Sequence, residues 1–238
     1  MLRLVWVILI SSPFILYYAL RVSYVERHGD SYTEDTRYKI ARHMVAIMKH
    51  NGGIRTKAYG VENLPQQGGY VMYANHQGKY DTLGIIGAHS KPCTILIDEK
   101  RSHLIFANEF ITLLKGCRID KSDIRAQVKA IYQIIDEVRN GRRYIIFPEG
   151  GYKNNHNTLQ DFLPGAFKCA IKAKSPIVPV ALINSYKVFD LRSMSLLPIT
   201  TQVHFLEPIY YDEYKEMSST EISRIVREKI NETIEKYA

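Results

Sequence analysis

The sequence predicts an α/β fold, a mixed and mostly parallel sheet flanked by helices, with an N-terminal membrane-associated helical segment ahead of it. Three observations carry this expectation. Apolar runs of strand length alternate with segments of helical period. Two of those runs, Tyr144 to Phe147 and Ile177 to Ile183, hold no charged residue, as in strands covered on both faces. The chain also opens on an uncharged stretch from Leu4 to Leu20, bracketed by Arg3 and Arg21.

That opening stretch sits at the short end of what a helix needs to cross about 30 Å of hydrocarbon. Pro13 is expected to kink it, so spanning and half-inserted forms both stay open. A cleaved signal peptide fits less well, because no small-x-small cleavage site follows the run. Arg21, Arg27, Lys39, Arg42, Lys49, Arg55 and Lys57 come after it. By the positive-inside tendency they would hold the body of the protein on the cytoplasmic face of the cell membrane, where they also suit anionic membrane lipid.

From Thr33 to His50, the residues Ile40, Met44, Ile47 and Met48 recur at helical spacing among basic residues. That pattern suits a helix on a membrane surface and a core-facing helix equally. Asn51, Gly52 and Gly53 stop it, which divides the chain into an anchoring segment, 1–52, and one domain, 53–238. In the domain, Ile54 to Tyr59 and Tyr70 to Ala74 are expected strands, separated by a turn rich in Gly and Pro. Asp81 to Ala88 reads as a helix and Cys93 to Ile97 as a strand. A helical stretch to Leu114 and a short segment around Arg118 and Ile119 follow.

Ile124, Val128, Ile131, Ile135 and Val138 form the stripe of an amphipathic helix that Gly141 ends. Gly165 to Ala173 is an expected helix between the two covered strands, and Val203 to Leu206 another strand. Ser218 and Glu221 make a capping box for a last helix whose stripe is Ile222, Ile225, Val226, Ile230 and Ile234.

A length of 238 residues allows one good core. The formal charge of +8 favours anionic partners such as lipid headgroups, phosphates, coenzymes or nucleic acid. The apolar N-terminus disfavours nucleic acid. Cys93, Cys117 and Cys169 lack CxxC pairing and His neighbours, so they read as free thiols in a reducing compartment, with no metal centre expected. None carries the local signature of an activated thiolate.

Chemistry concentrates where the strand ending at Ala74 gives way to the helix opening at Asp81. A neutral imidazole at His76 can take a proton from a hydroxyl, and a carboxylate on its other nitrogen fixes the tautomer and stabilises the imidazolium. On one continuous helix, residues five apart diverge by roughly 140°. His76 is therefore expected in the turn before the helix and Asp81 in its first turns, with Gly78 helping the bend. A solvated helix start remains the alternative for this pair. Farther on, Phe147, Pro148, Glu149 and Gly150 end a covered strand in a tight turn bearing a carboxylate, which also reads as a simple cap.

Asn75 His76 with Asp81, then Gly116 to Lys121, then Phe147 Pro148 Glu149 Gly150, then Ile177 Val178 Pro179 Val180, resemble in order and spacing the four motifs of the 1-acylglycerol-3-phosphate acyltransferases. The resemblance runs from about Gly60 to Glu207. It implies that His76 deprotonates the acceptor hydroxyl, Asp81 orients His76, and the oxygen attacks the thioester of acyl-CoA or acyl carrier protein. It further implies that Asn75, Glu149 and Gly150 meet the substrate and that Val178 and Pro179 shape the acyl or donor pocket. Backbone amides after His76 or near Gly150 are candidate oxyanion donors by geometry alone.

Two departures bear on the acceptor. The family usually has Arg where this chain has Lys121, and Thr then Arg where it has Gly151 and Tyr152. An Arg fork grips phosphate in two places and Lys acts as a point charge. Arg118, Lys121 and Lys153 form the expected phosphate patch, with solvated surface cations as the alternative. The expected partners are the acyl donor, a lysophospholipid acceptor and anionic lipid, with no cofactor beyond the donor. Another lysophospholipid or glycerol 3-phosphate as acceptor stays open, as do a membrane-bound thioesterase and a basic binding module. A thioesterase of the GxSxG type is disfavoured, since that motif is absent.

Overall fold

The structure, a computed structural model, describes residues 2–103, 107–153, 155–190 and 192–238. It opens with α1 (Leu2–Arg27), which contains Pro13, and α2 (Glu34–Asn51). Thr33 caps α2 by accepting from the Thr36 amide, and Glu34 and Asp35 in the first turn complement the helix dipole. β1 (Ile54–Tyr59), β2 (Tyr70–Ala74), α3 (Asp81–Ala88) and β3 (Thr94–Asp98) follow within a residue of expectation. The helix expected to continue to Leu114 is represented by α4 (Glu99–Ser102) and α5 (Ala107–Leu113); residues 104–106 of that expectation lie outside the described residues.

The segment around Arg118 is a strand, β4 (Cys117–Ile119). Then come α6 (Ile124–Arg139), β5 (Arg143–Ile146), α7 (Lys168–Ala173), β6 (Ile177–Ile183) and β7 (Ile199–Phe205). The chain closes with α8 (Tyr211–Tyr214) and α9 (Ser219–Tyr237), the latter opened by the Ser218 and Glu221 capping box.

The strands form a seven-stranded sheet in the order β1-β7-β6-β2-β5-β3-β4. Among these pairs β6 and β7 alone run antiparallel. Alternation along the central strands separates two cores. Tyr70, Met72 and Ala74 of β2 and Val178, Val180 and Leu182 of β6 pack against α1, α2, α3 and α5. Val71 and Tyr73, with Ile177, Ala181 and Ile183, face the stripes of α6 and α9. The result is a helix–sheet–helix sandwich.

Tyr18, Val22 and Val25 of α1 and Tyr38, Ala41 and Val45 of α2 belong to the first of these cores. Residues 1–52 therefore bury side chains in the same core as residues 53–238. The stripe expected along α6 is covered only in part. Ile135 and Val138 are buried with Ala130 and Ile134, whereas Ile124 is 76% and Val128 47% exposed in the first turns.

Candidate active site

The loops after β2 and β5 leave neighbouring strands in opposite directions across the sheet, β2 running on to β3 and β5 to β6. Such a divergence opens a crevice at the carboxyl ends of the strands. Asn75 is the first residue past β2. Its amide donates to the Leu182 carbonyl at 3.0 Å and accepts from the Leu182 amide at 2.7 Å, and the residue is 2% exposed. With one N–H and its carbonyl oxygen bonded to β6, Asn75 ties two strand ends and fixes where the next residue starts.

That residue is His76. Its Nδ1 donates to Asp81 Oδ2 at 2.7 Å, and Asp81, the first residue of α3, is fully buried. The pair meets because His76 precedes the helix. The same Oδ2 accepts the amides of Gln77 at 2.5 Å and Gly78 at 2.8 Å, and Oδ1 accepts the Ser185 hydroxyl. Four donors converging on one carboxylate satisfy a charge that burial would otherwise penalise. With Nδ1 engaged as a donor, Nε2 is the lone-pair nitrogen of the neutral ring. Phe147 stacks on the imidazole at 4.2 Å and Tyr152 meets it edge-on at 4.6 Å.

Gly78 contributes its amide to this turn. It is not among the glycines with positive φ, and a Cβ there would meet Tyr186 at an ordinary 3.7 Å, so the bend does not require glycine. Gly150 does: its φ of +70° closes the Phe147–Gly150 turn, with the Gly150 amide donating to the Phe147 carbonyl at 3.1 Å. Glu149 Oε1 accepts the His76 amide at 2.9 Å and Oε2 accepts from Gln160 at 2.6 Å. Burial raises the Glu149 pKa, and these bonds oppose the rise. Glu149 thereby braces the backbone of His76 from β5.

These bonds engage four backbone amides in the region expected to hold the oxyanion donors. The amides of Gln77 and Gly78 are taken by Asp81, that of His76 by Glu149 and that of Gly150 by Phe147. None of the four is free for a developing oxyanion in this arrangement.

Two of the three expected cations, Arg118 and Lys121, lie against α4. Arg118 donates to Ser102 at 3.0 Å and to Asn108 and Thr112 at 3.2 Å, all neutral oxygens. Lys121 Nζ donates to the Gly150 carbonyl at 2.6 Å and lies 3.5 Å from Asp98 Oδ2. Lys153 is exposed. Val178 and Pro179 sit within β6, paired with Met72 and Tyr73, and Val178 is fully buried in the core. The side chain of Val178 is core packing between sheet and helices. None of the candidate residues lines the groove of about 750 Å³ between α1 and α2, or that of about 290 Å³ beside α9.

Sequence reasoning did not single out Ser185, Asn157, Arg101 or a role for the Gln77 side chain. Gln77 accepts from the Ser185 amide at 3.0 Å and donates to Leu182 and Asn157 at 2.9 Å. The usable signal was position: Gln77 adjoins His76, and Ser185 stands just past the covered strand β6, at the sheet edge where ligand groups gather. The cysteines are buried and free. Burial pushes Cys93 up to about 12 and Cys117 and Cys169 up to about 11, which keeps them as thiols.

A family model described as Acyltransferase matches residues 55–183. The chain is 26% identical over 183 residues to the 1-acyl-sn-glycerol-3-phosphate acyltransferase of Borreliella burgdorferi, covering 77% of this chain and 73% of that one. It is 27% identical over 203 residues to the 1-acyl-sn-glycerol-3-phosphate acyltransferase of Saccharomyces cerevisiae, covering 82% of this chain and 64% of the yeast protein. The crystal structure of the 1-acyl-sn-glycerophosphate acyltransferase PlsC from Thermotoga maritima shares the fold. Its TM-score is 0.81 at 20% identity, over 99% of this chain and 94% of that one. The match to the family model takes in more than half of the chain, including the histidine and its carboxylate, and so the chain belongs to the acyltransferase family.

Proposed function

We propose that this chain moves a fatty acyl group from acyl-CoA or acyl carrier protein to the free hydroxyl of 1-acylglycerol 3-phosphate, giving phosphatidic acid. The observation that carries the reading is the 2.7 Å bond from His76 Nδ1 to buried Asp81, which leaves Nε2 to accept a proton. The names of the relatives support the acceptor.

In this mechanism the acceptor hydroxyl gives its proton to His76 Nε2 as its oxygen bonds to the thioester carbonyl carbon. Asp81 stabilises the imidazolium. The tetrahedral adduct then collapses, the C–S bond breaks, and the imidazolium returns the proton to the departing thiolate. No acyl-enzyme forms. General base catalysis of this kind supplies on the order of 10² to 10⁴ in rate, with positioning adding to it.

For the membrane we read α1 as half-inserted. It is long and apolar enough to cross a bilayer by length and composition. One side of it, however, is buried against the protein at Arg3, Val7, Ser11, Tyr18, Val22 and Val25. The side chains of Leu9, Leu16 and Leu20 are 64–67% exposed on other faces. A helix anchored along its length to the domain presents only its free face to lipid. The basic residues after it favour the cytoplasmic leaflet.

The test is the product formed by purified protein from a long-chain acyl-CoA and 1-oleoylglycerol 3-phosphate in vesicles. Phosphatidic acid is the expected product. Free fatty acid without phosphatidic acid would replace this reading by a thioesterase that activates water.

A further inference from the structure

The ring that walls the imidazole also carries a guanidinium. Tyr152 meets His76 at 4.6 Å, and Arg101 Cζ lies 5.3 Å from the centre of the Tyr152 ring, within cation–π range. Arg101 belongs to α4, whose Ser102 accepts from Arg118 and whose capping Asp98 lies 3.5 Å from Lys121 Nζ. Three cations from two parts of the chain thus gather around one short helix.

They are not equivalent. Lys121 shares its charge with Asp98 and the Gly150 carbonyl, and Arg118 directs its donors to three neutral oxygens. Arg101 is exposed and rests on an aromatic face. A guanidinium stacked on a ring keeps its N–H donors in its own plane, where they remain available to a second partner.

Resting on the acyl-transfer reading above, we propose that Arg101, held on Tyr152, is the residue that selects the acceptor by binding its phosphate monoester. The two ring contacts put the guanidinium within about 10 Å of the imidazole. In a glycerol phosphate the free hydroxyl and the phosphorus are four bonds apart, a reach of roughly 5 Å. A hydroxyl hydrogen-bonded to His76 Nε2 and a phosphate oxygen hydrogen-bonded to Arg101 together fill that span. Tyr152 then sets the distance between the two, and the planar fork of Arg101 grips two phosphate oxygens where the point charge of Lys121 grips one.

Steady-state kinetics of the full chain in vesicles, with 1-oleoylglycerol 3-phosphate and palmitoyl-CoA each varied, test the assignment on wild type, Arg101→Ala and Arg101→Lys. In Arg101→Ala the KM for 1-oleoylglycerol 3-phosphate rises at least about tenfold and the KM for palmitoyl-CoA does not follow it. Arg101→Lys recovers part of the acceptor KM. An acceptor KM within about twofold of wild type in Arg101→Ala overturns the assignment, and so does an equal rise in both constants or a rise confined to the donor. A wild type that makes no phosphatidic acid at all rejects the acyl-transfer reading itself, before any variant is compared, and this assignment falls with it.

Discussion

Ser185 donates its hydroxyl hydrogen to the Asp81 oxygen that His76 does not use, so a residue at the end of β6 braces the pair built at the end of β2. In the proposed mechanism the brace matters, because the imidazole must hold one orientation while it takes and returns a proton, and a carboxylate free to rotate would release it. Gln77, bonded to the Ser185 amide and to Leu182, locks the same junction from the loop side.

Loss of that brace should show in turnover before it shows in folding. Ser185→Ala removes one donor from a fully buried carboxylate that keeps its other three. We expect kcat to fall about tenfold with a small change in the KM of either substrate. Ser185→Thr, which restores a hydroxyl, should recover most of the rate. Unchanged kcat in Ser185→Ala would separate Ser185 from catalysis.

Asn75 invites the opposite result. Both polar ends of its side chain bond Leu182, and it is 2% exposed. Asn75→Ala leaves the buried Leu182 amide unpaired, while the Leu182 carbonyl keeps its bond from Gln77, and should cost about 1–3 kcal/mol of stability. Urea unfolding followed by circular dichroism measures that loss. An unchanged midpoint with a raised acceptor KM would instead return Asn75 to the substrate.

Glu149 links stability to pH. Its pKa is raised above the ordinary 4.5, chiefly by burial. The folded state therefore holds a proton that the unfolded chain releases, so the stabilising contribution is complete below 4.5 and is lost as pH rises through the raised value. Glu149→Gln, which keeps an acceptor for the His76 amide without the charge, should gain melting temperature relative to wild type as pH rises from 4 to 7, by roughly a few degrees. Thermal melts of the two proteins across that range check it, and a difference constant with pH would contradict the linkage.

Much of the fold was legible because strand and helix periods differ and the central strands are covered on both faces. β1, β2, α3 and β6 lie where apolar runs and Gly or Pro breaks put them. The α6 stripe misled at its start, since periodicity marks a face without saying whether anything packs on it, and Ile124 is 76% exposed. At the site, His76 and Asp81 were legible from a local constraint, the impossibility of meeting on one helix. Ser185 and Arg101 were not, because they reach the site across 104 residues of chain and through a ring contact that no local pattern encodes. Asn75 and Val178 show the converse. Residues that share a motif with the proposed base can serve the sheet that positions it.

Transfer of the acceptor proton to His76 Nε2 is the central step proposed, and the most direct test compares His76→Ala with wild type in vesicles. Phosphatidic acid formation from acyl-CoA and 1-oleoylglycerol 3-phosphate should drop by at least on the order of 10², with membrane attachment and melting temperature retained. Turnover within a few fold of wild type in that variant would show that another group accepts the proton and would contradict the mechanism.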